Sequence, residues 1–182
     1  MGMKSIEILV KEHEEISRLL DRLEDESVKI LEGSEIDYEF FQNSIEFIRD
    51  FADKVHHMKE EEILFKYMTE NLGLPAQKLI NSGMLVEHQM GRHYVTELEK
   101  HLDTFKTQGD IKDKLQIISY TMSYVNLLRM HIEKENTVVY PFGEKNLPKE
   151  VIELVEEETI KRQEEDKSEI KRKEKLQKKI LK

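Results

Sequence analysis

Four short stretches of the sequence pair histidine with glutamate: Glu12-His13, His56-His57-Met58-Lys59-Glu60-Glu61, Glu87-His88 and His131-Ile132-Glu133-Lys134-Glu135. Their spacing repeats. His13 lies 43 residues before His56, and His88 lies 43 residues before His131. A shift of 75 residues carries His13 onto His88, His56 onto His131, Glu60 onto Glu135, Glu12 onto Glu87 and Phe65 onto Tyr140. Each half therefore offers one histidine and one His-x-x-x-Glu pair. On a helix, residues four apart lie about 40° apart in angle and one turn along, so both side chains of such a pair can converge on one point. Imidazole nitrogens and carboxylate oxygens that converge in this way are ligands for a hard or borderline metal cation. The register also chooses among Glu60, Glu61 and Glu62, because only Glu60 falls on Glu135.

Side chains with this spacing need long helices to hold them, and the punctuation of the chain supplies the boundaries. Only 7 glycines and 3 prolines occur, and they mark breaks at Gly33–Asp37, Leu72–Pro75, Gln108–Asp110 and Pro141–Pro148. Between the breaks the apolar residues recur at three and four, as in Ile6, Leu9, Ile16, Leu19, Leu20, Leu23 and in Phe40, Phe41, Phe47, Ile48, Phe51, Val55. That is helical period. The pattern predicts helices over 4–31, 38–71, 76–106, 111–140 and 149–180, with caps expected at Ser34-x-x-Asp37 and Asp110-x-x-Asp113. The first four form an all-α, up-down-up-down four-helix bundle over residues 1–147, and residues 148–182 are an additional charged C-terminal helix, expected to be solvated because its large apolar residues are few and widely spaced. Apolar residues flank His56 (Phe51, Val55, Ile63, Leu64, Phe65) and His131 (Tyr124, Leu127, Leu128, Val138, Val139), which turns both toward the core. A buried, uncompensated carboxylate costs several kcal/mol, so core-facing Glu60 and Glu135 need cations as partners. A metal pair meets that need.

Composition narrows the chemistry. The absence of cysteine excludes disulfides, iron–sulfur clusters and thiolate zinc sites, leaving His and carboxylate as the ligands. The net charge is −9. Residues 156–182 hold ten basic and eight acidic side chains against nineteen and thirty in residues 1–155, so the body is strongly acidic. No apolar run reaches membrane-spanning length, and the first residues meet charge too early for a signal-peptide core, so a cytoplasmic location and no membrane partner are expected. A Gly-rich phosphate loop, G-x-S-x-G, HExxH and an aromatic-studded basic face are all lacking, which argues against nucleotide, serine-hydrolase, zinc-protease and nucleic-acid functions.

Three segments, FxxxFADKVHHMKEEEILF, LVEHQMGRHYV and YVNLLRMHIEKENTVVYP, resemble motifs of the hemerythrin-like, or HHE cation-binding, domain family, across nearly all of residues 4–145. The EHxxGR motif is the most telling. The resemblance implies a non-haem di-iron centre with an oxo or hydroxo bridge and two bridging carboxylates, open to dioxygen, nitric oxide or peroxide. Manganese or zinc suits the same ligand set. Carried over position by position, the implied metal ligands are His13, His56, Glu60, His88, His131 and Glu135. Where the oxygen carriers place a further histidine, four residues after His88, this chain has Arg92, which implies one histidine fewer. His93 lies about 140° from His88 and is divided between site and surface. His57 is read as surface ahead of a ligand or a supporting donor, and His101 as solvated. Tyr67, Tyr94, Tyr120 and Tyr124 are read as core.

Three functions are compatible with these residues. The leading one binds or reduces a small oxidant. The second is iron supply or sensing, although the family's iron-centre repair branch, which carries cysteine, is disfavoured. The third is a metal-stabilised signalling adaptor, with a protein partner or self-association through the charged helix.

Overall fold

The computed structural model describes residues 2–181, and every regular element among them is helical. Helix α1 is Lys4–Leu31, α2 spans residues 38–71, α3 residues 73–108, α4 residues 111–146, α5 is Lys149–Glu165 and α6 is Lys167–Ile180. The first four run antiparallel in succession as a bundle, and α5 and α6 lie back along its α1–α2 side.

Local chemistry explains the boundaries. The Asp37 carboxylate accepts from the Phe40 N–H at 2.9 Å and so caps α2, and Asp110 does the same for Lys112 at 2.9 Å at the start of α4. Gly109 ends α3 in the left-handed region at φ +67°, where a side chain would be strained. Helix α4 does not stop at Pro141. It passes through a wide π-turn at Glu135–Val139 and continues to Asn146. The same wide turn occurs 75 residues earlier at Glu60–Leu64, and a longer one precedes it at Ile48–His57. The first two therefore begin at the two glutamates that the repeat superimposes.

Apolar residues fill the bundle in two clusters. One includes Ile16, Leu20, Phe47, Phe51, Val55, Leu98, Val125 and Leu128; the other includes Leu9, Leu64, Phe65, Met68, Met84, Val139, Tyr140 and Val155. Along every bundle helix the His and Glu motifs fall between the two. Each fully buried aliphatic or aromatic side chain contributes about 1.5–3 kcal/mol, so the polar layer is held from both ends by apolar packing.

The C-terminal segment departs from the expected single solvated helix. It breaks at Asp166, and Val151, Val155, Leu176 and Ile180 are buried against the bundle. Ion pairs border the contact: Lys173 with Glu15, Arg162 with Glu62, and Arg172 with Glu46 and Asp50. The apolar residues of this segment are widely spaced, and Val151, Val155, Leu176 and Ile180 land on the bundle while Leu154 and Ile160 face solvent.

Candidate metal centre

Between the two apolar clusters, four helices deliver His13, His56, His57, Glu60, His88, His131 and Glu135 to one place, all seven buried. They form two adjoining groups, His13–His56–Glu60–Glu135 and His57–Glu60–His88–His131, and in each the ligand atoms lie within 4.8 Å of one another. Glu60 belongs to both. Glu135 also spans them, with Oε2 3.2 Å from His13 Nε2 and Oε1 3.2 Å from His131 Nε2.

Each histidine turns Nδ1 outward to an oxygen. His56 donates to Glu12 (3.0 Å), His131 to Glu87 (2.8 Å), His13 to Asn136 (2.9 Å), His88 to Glu61 (2.6 Å) and His57, more weakly, to Asp53 (3.4 Å). A ring nitrogen facing a carboxylate carries the proton, so every Nε2 presents its lone pair inward. The repeat extends to this outer layer. Glu12 and Glu87 correspond, as do Glu61 and Asn136, and Lys59 and Lys134 pair with Glu12 and Glu87 respectively.

Five of the inward atoms lack partners. His56 Nε2, His57 Nε2, Glu60 Oε2 and both Glu135 oxygens are buried without a hydrogen bond. Such groups are costly unless something satisfies them. His88 Nε2 and His131 Nε2 stand 3.0 Å apart, two lone pairs that repel unless a cation lies between. In the metal-free chain a proton takes that place. Burial opposes a charge on His131, but Glu135 and Glu87 outweigh it and push its pKa up to about 9. Burial holds His56, His57 and His88 below the usual imidazole range, so they stay neutral and ready to coordinate. Burial and the neighbouring Glu135 push Glu60 well up. Burial would also raise Glu135, but His131 and His13 hold it well below the usual range. Ligand atoms about 2.1 Å from a common ion and at right angles to each other lie about 3 Å apart, close to the separations found here. The residues present fit a metal pair.

Two residues that sequence reasoning did not assign lie in this layer. His57 is 5 % exposed and stacks on His88 with ring centroids 3.9 Å apart, so it is not a surface residue. It adds a histidine to the layer on the side where α3 carries Arg92 in place of one. The regular 100° step turns His57 away from His56, whereas the wide turn Ile48–His57 narrows the angle between neighbours. Tyr140 is the other. Its hydroxyl donates to Glu60 Oε1 at 2.5 Å and lies 3.3 Å from His13 Nε2. Its counterpart in the repeat is Phe65, which stacks on His88.

The remaining candidates lie elsewhere. Arg92 binds Asp53 and Glu61, and His93 is exposed. His101 is half-buried and donates to Asp113 at 2.6 Å, against the expectation of a solvated ring. Tyr124 is buried, Tyr94 and Tyr120 pack on the edge of the core, and Tyr67 donates to Glu158 at 2.7 Å.

A four-helix bundle with a buried, two-part His and carboxylate cluster defines a cation-binding bundle protein. The family model for the hemerythrin HHE cation-binding domain matches residues 4–143, and the chain belongs to that family. No curated protein and no solved structure matches the chain. No helix among the described residues is long and apolar enough to cross a membrane.

Proposed function

We propose that this protein holds two iron ions, one on His13, His56, Glu60 and Glu135 and one on His57, His88, His131 and Glu60, and that it binds and reduces a small oxidant there. The observation that carries the reading is the set of buried nitrogen and oxygen atoms that face one another without hydrogen-bond partners. A pair of irons supplies electrons and an open coordination position for dioxygen, peroxide or nitric oxide.

The chain's own residues have defined tasks in this reading. Glu60 and Glu135 neutralise charge shared between the two positions. The outer carboxylates and Asn136 fix the tautomer and orientation of the histidines, a contribution that commonly changes metal affinity 10–100-fold. Lys59 and Lys134 offset the charge of Glu12 and Glu87. Burial and neighbouring Glu60 raise the Tyr140 phenol well above its usual value, so it keeps its proton and can hold one beside Glu60. The flanking apolar clusters exclude water from the layer.

The test is an absorption spectrum of chain loaded anaerobically with iron(II), followed through exposure to peroxide, air and nitric oxide. New near-ultraviolet and visible bands that reductant bleaches are expected. Bound iron with no spectral response would replace this reading with iron supply or sensing or a metal-stabilised adaptor, and failure to bind iron would overturn it.

A further inference from the structure

A cavity of about 100 Å³ opens beside the His57–His88 side of the metal layer. Its inner wall is buried and mostly apolar, made by Ile48, Gly91 and Val95 together with the two histidines, and its outer wall includes the half-buried Asp53 and Arg92. One feature of the inner wall is unexplained by packing. Tyr124 lines this cavity, and its hydroxyl is buried with no hydrogen-bond partner. A buried hydroxyl left unpaired costs on the order of 1–3 kcal/mol, so it marks a place where something else is expected to bond.

The outer wall says what kind of molecule can enter. Arg92 donates to Asp53 at 2.7 Å and to Glu61 at 2.8 Å, while Arg49 is committed to Glu99 at 2.7 and 2.8 Å. Neither guanidinium is free, and the Arg92 cluster sets two carboxylates against one cation, so nothing there attracts an anion. The volume sets a second limit. A cavity of about 150 Å³ holds benzene, and a water takes about 30 Å³ of liquid volume, so this one admits molecules of a few heavy atoms only.

We propose that this cavity is the entry pocket for a small neutral ligand, such as nitric oxide, dioxygen or hydrogen peroxide, with Arg92 as the plug across its outer side and the Tyr124 hydroxyl as the group that hydrogen-bonds the arriving ligand. The plug is tied to the metal layer, because Glu61 accepts from both Arg92 and His88 and Asp53 accepts from both Arg92 and His57. Arg92 occupies the position of the missing histidine, so the residue that removes a ligand from α3 also closes the space beside it. The inference deepens the proposed function and relies on it for the metal, but the cavity itself is a property of the chain.

Two measurements test it. Crystals of the full chain under xenon pressure should show a xenon peak between Tyr124, Val95 and His57 whatever metal they hold; no peak there would overturn the pocket. In iron(II)-loaded chain, nitric oxide association followed by stopped-flow absorption should be about fivefold faster in Arg92→Ala, as expected if opening the plug costs about what a partly exposed ion pair contributes. Nitric oxide should leave Tyr124→Phe about fivefold faster, as expected from one lost hydrogen bond. Unchanged rates in both variants, at unchanged iron content, would overturn the roles of plug and hydroxyl. If the chain takes up no iron, the proposed function fails while the xenon result still decides the pocket.

Discussion

Glu60 and Glu61 are neighbours in sequence with different tasks, and replacing each should separate them. Glu60 belongs to both ligand groups, whereas Glu61 only accepts from His88 and Arg92. Glu60→Ala should therefore lose both metals. Glu61→Ala should keep two metals at saturation but bind the one near His88 about 10–100-fold more weakly, by titration of metal-free chain. Equal losses would contradict the assignment. Likewise His57→Ala should drop occupancy to one metal per chain, while His93→Ala, at an exposed position, should leave metal content unchanged. The 75-residue repeat pointed to His13, His56, Glu60, His88, His131 and Glu135, which the structure brings into one layer. It concealed His57 and Tyr140 because neither has a like counterpart: position 132 is Ile and position 65 is Phe.

At the scale of the element, most helix ends were legible from Gly, Pro and Asp, whereas the end of α4, the break at Asp166 and the π-turns were not. A π-turn leaves no mark in composition, yet of the four among the described residues one begins at each of Glu60 and Glu135, one ends at His57 and one, Ile80–Met84, precedes His88 by a turn. Wide turns at functional positions are a recurring use of this geometry. They explain why a regular helical wheel misplaced His57 and why α4 continues through Pro141. The C-terminal helices were misread for a different reason. A largely charged helix reads as solvated, but Leu176 and Ile180 sit in the core cluster of α1 and α2. Leu176→Ala should then cost about 2–4 kcal/mol in urea unfolding, the range for a buried leucine, where a solvated helix would lose only a few tenths. A loss below about 0.5 kcal/mol would contradict the packing of α6.

At the scale of the molecule, a polar layer divides one bundle core into two apolar halves, and its protonation couples to folding. His56, His57 and His88 are held below the usual 6.5 by burial, so the unfolded chain takes up protons first and stability falls as pH drops below 6.5. His131, raised to about 9, contributes stability that is full below 6.5 and is lost as pH rises through about 9. The raised Glu60 acts in the same direction as His131. The melting temperature of metal-free chain should therefore peak near neutrality and fall on both sides, and a steady rise from pH 6.5 to 9 would contradict this account. Fold and family were legible at this scale because four long helices and a repeated ligand spacing constrain one another. The division of the core was not, since it emerges only when four helices align their motifs at one level.

Metal stoichiometry tests the central claim most directly. Metal-free chain titrated with iron(II) under anaerobic conditions, and read by native mass spectrometry, should take up two ions per chain, as the two adjoining ligand groups require. Saturation at one ion, or none, would contradict a paired centre that shares Glu60.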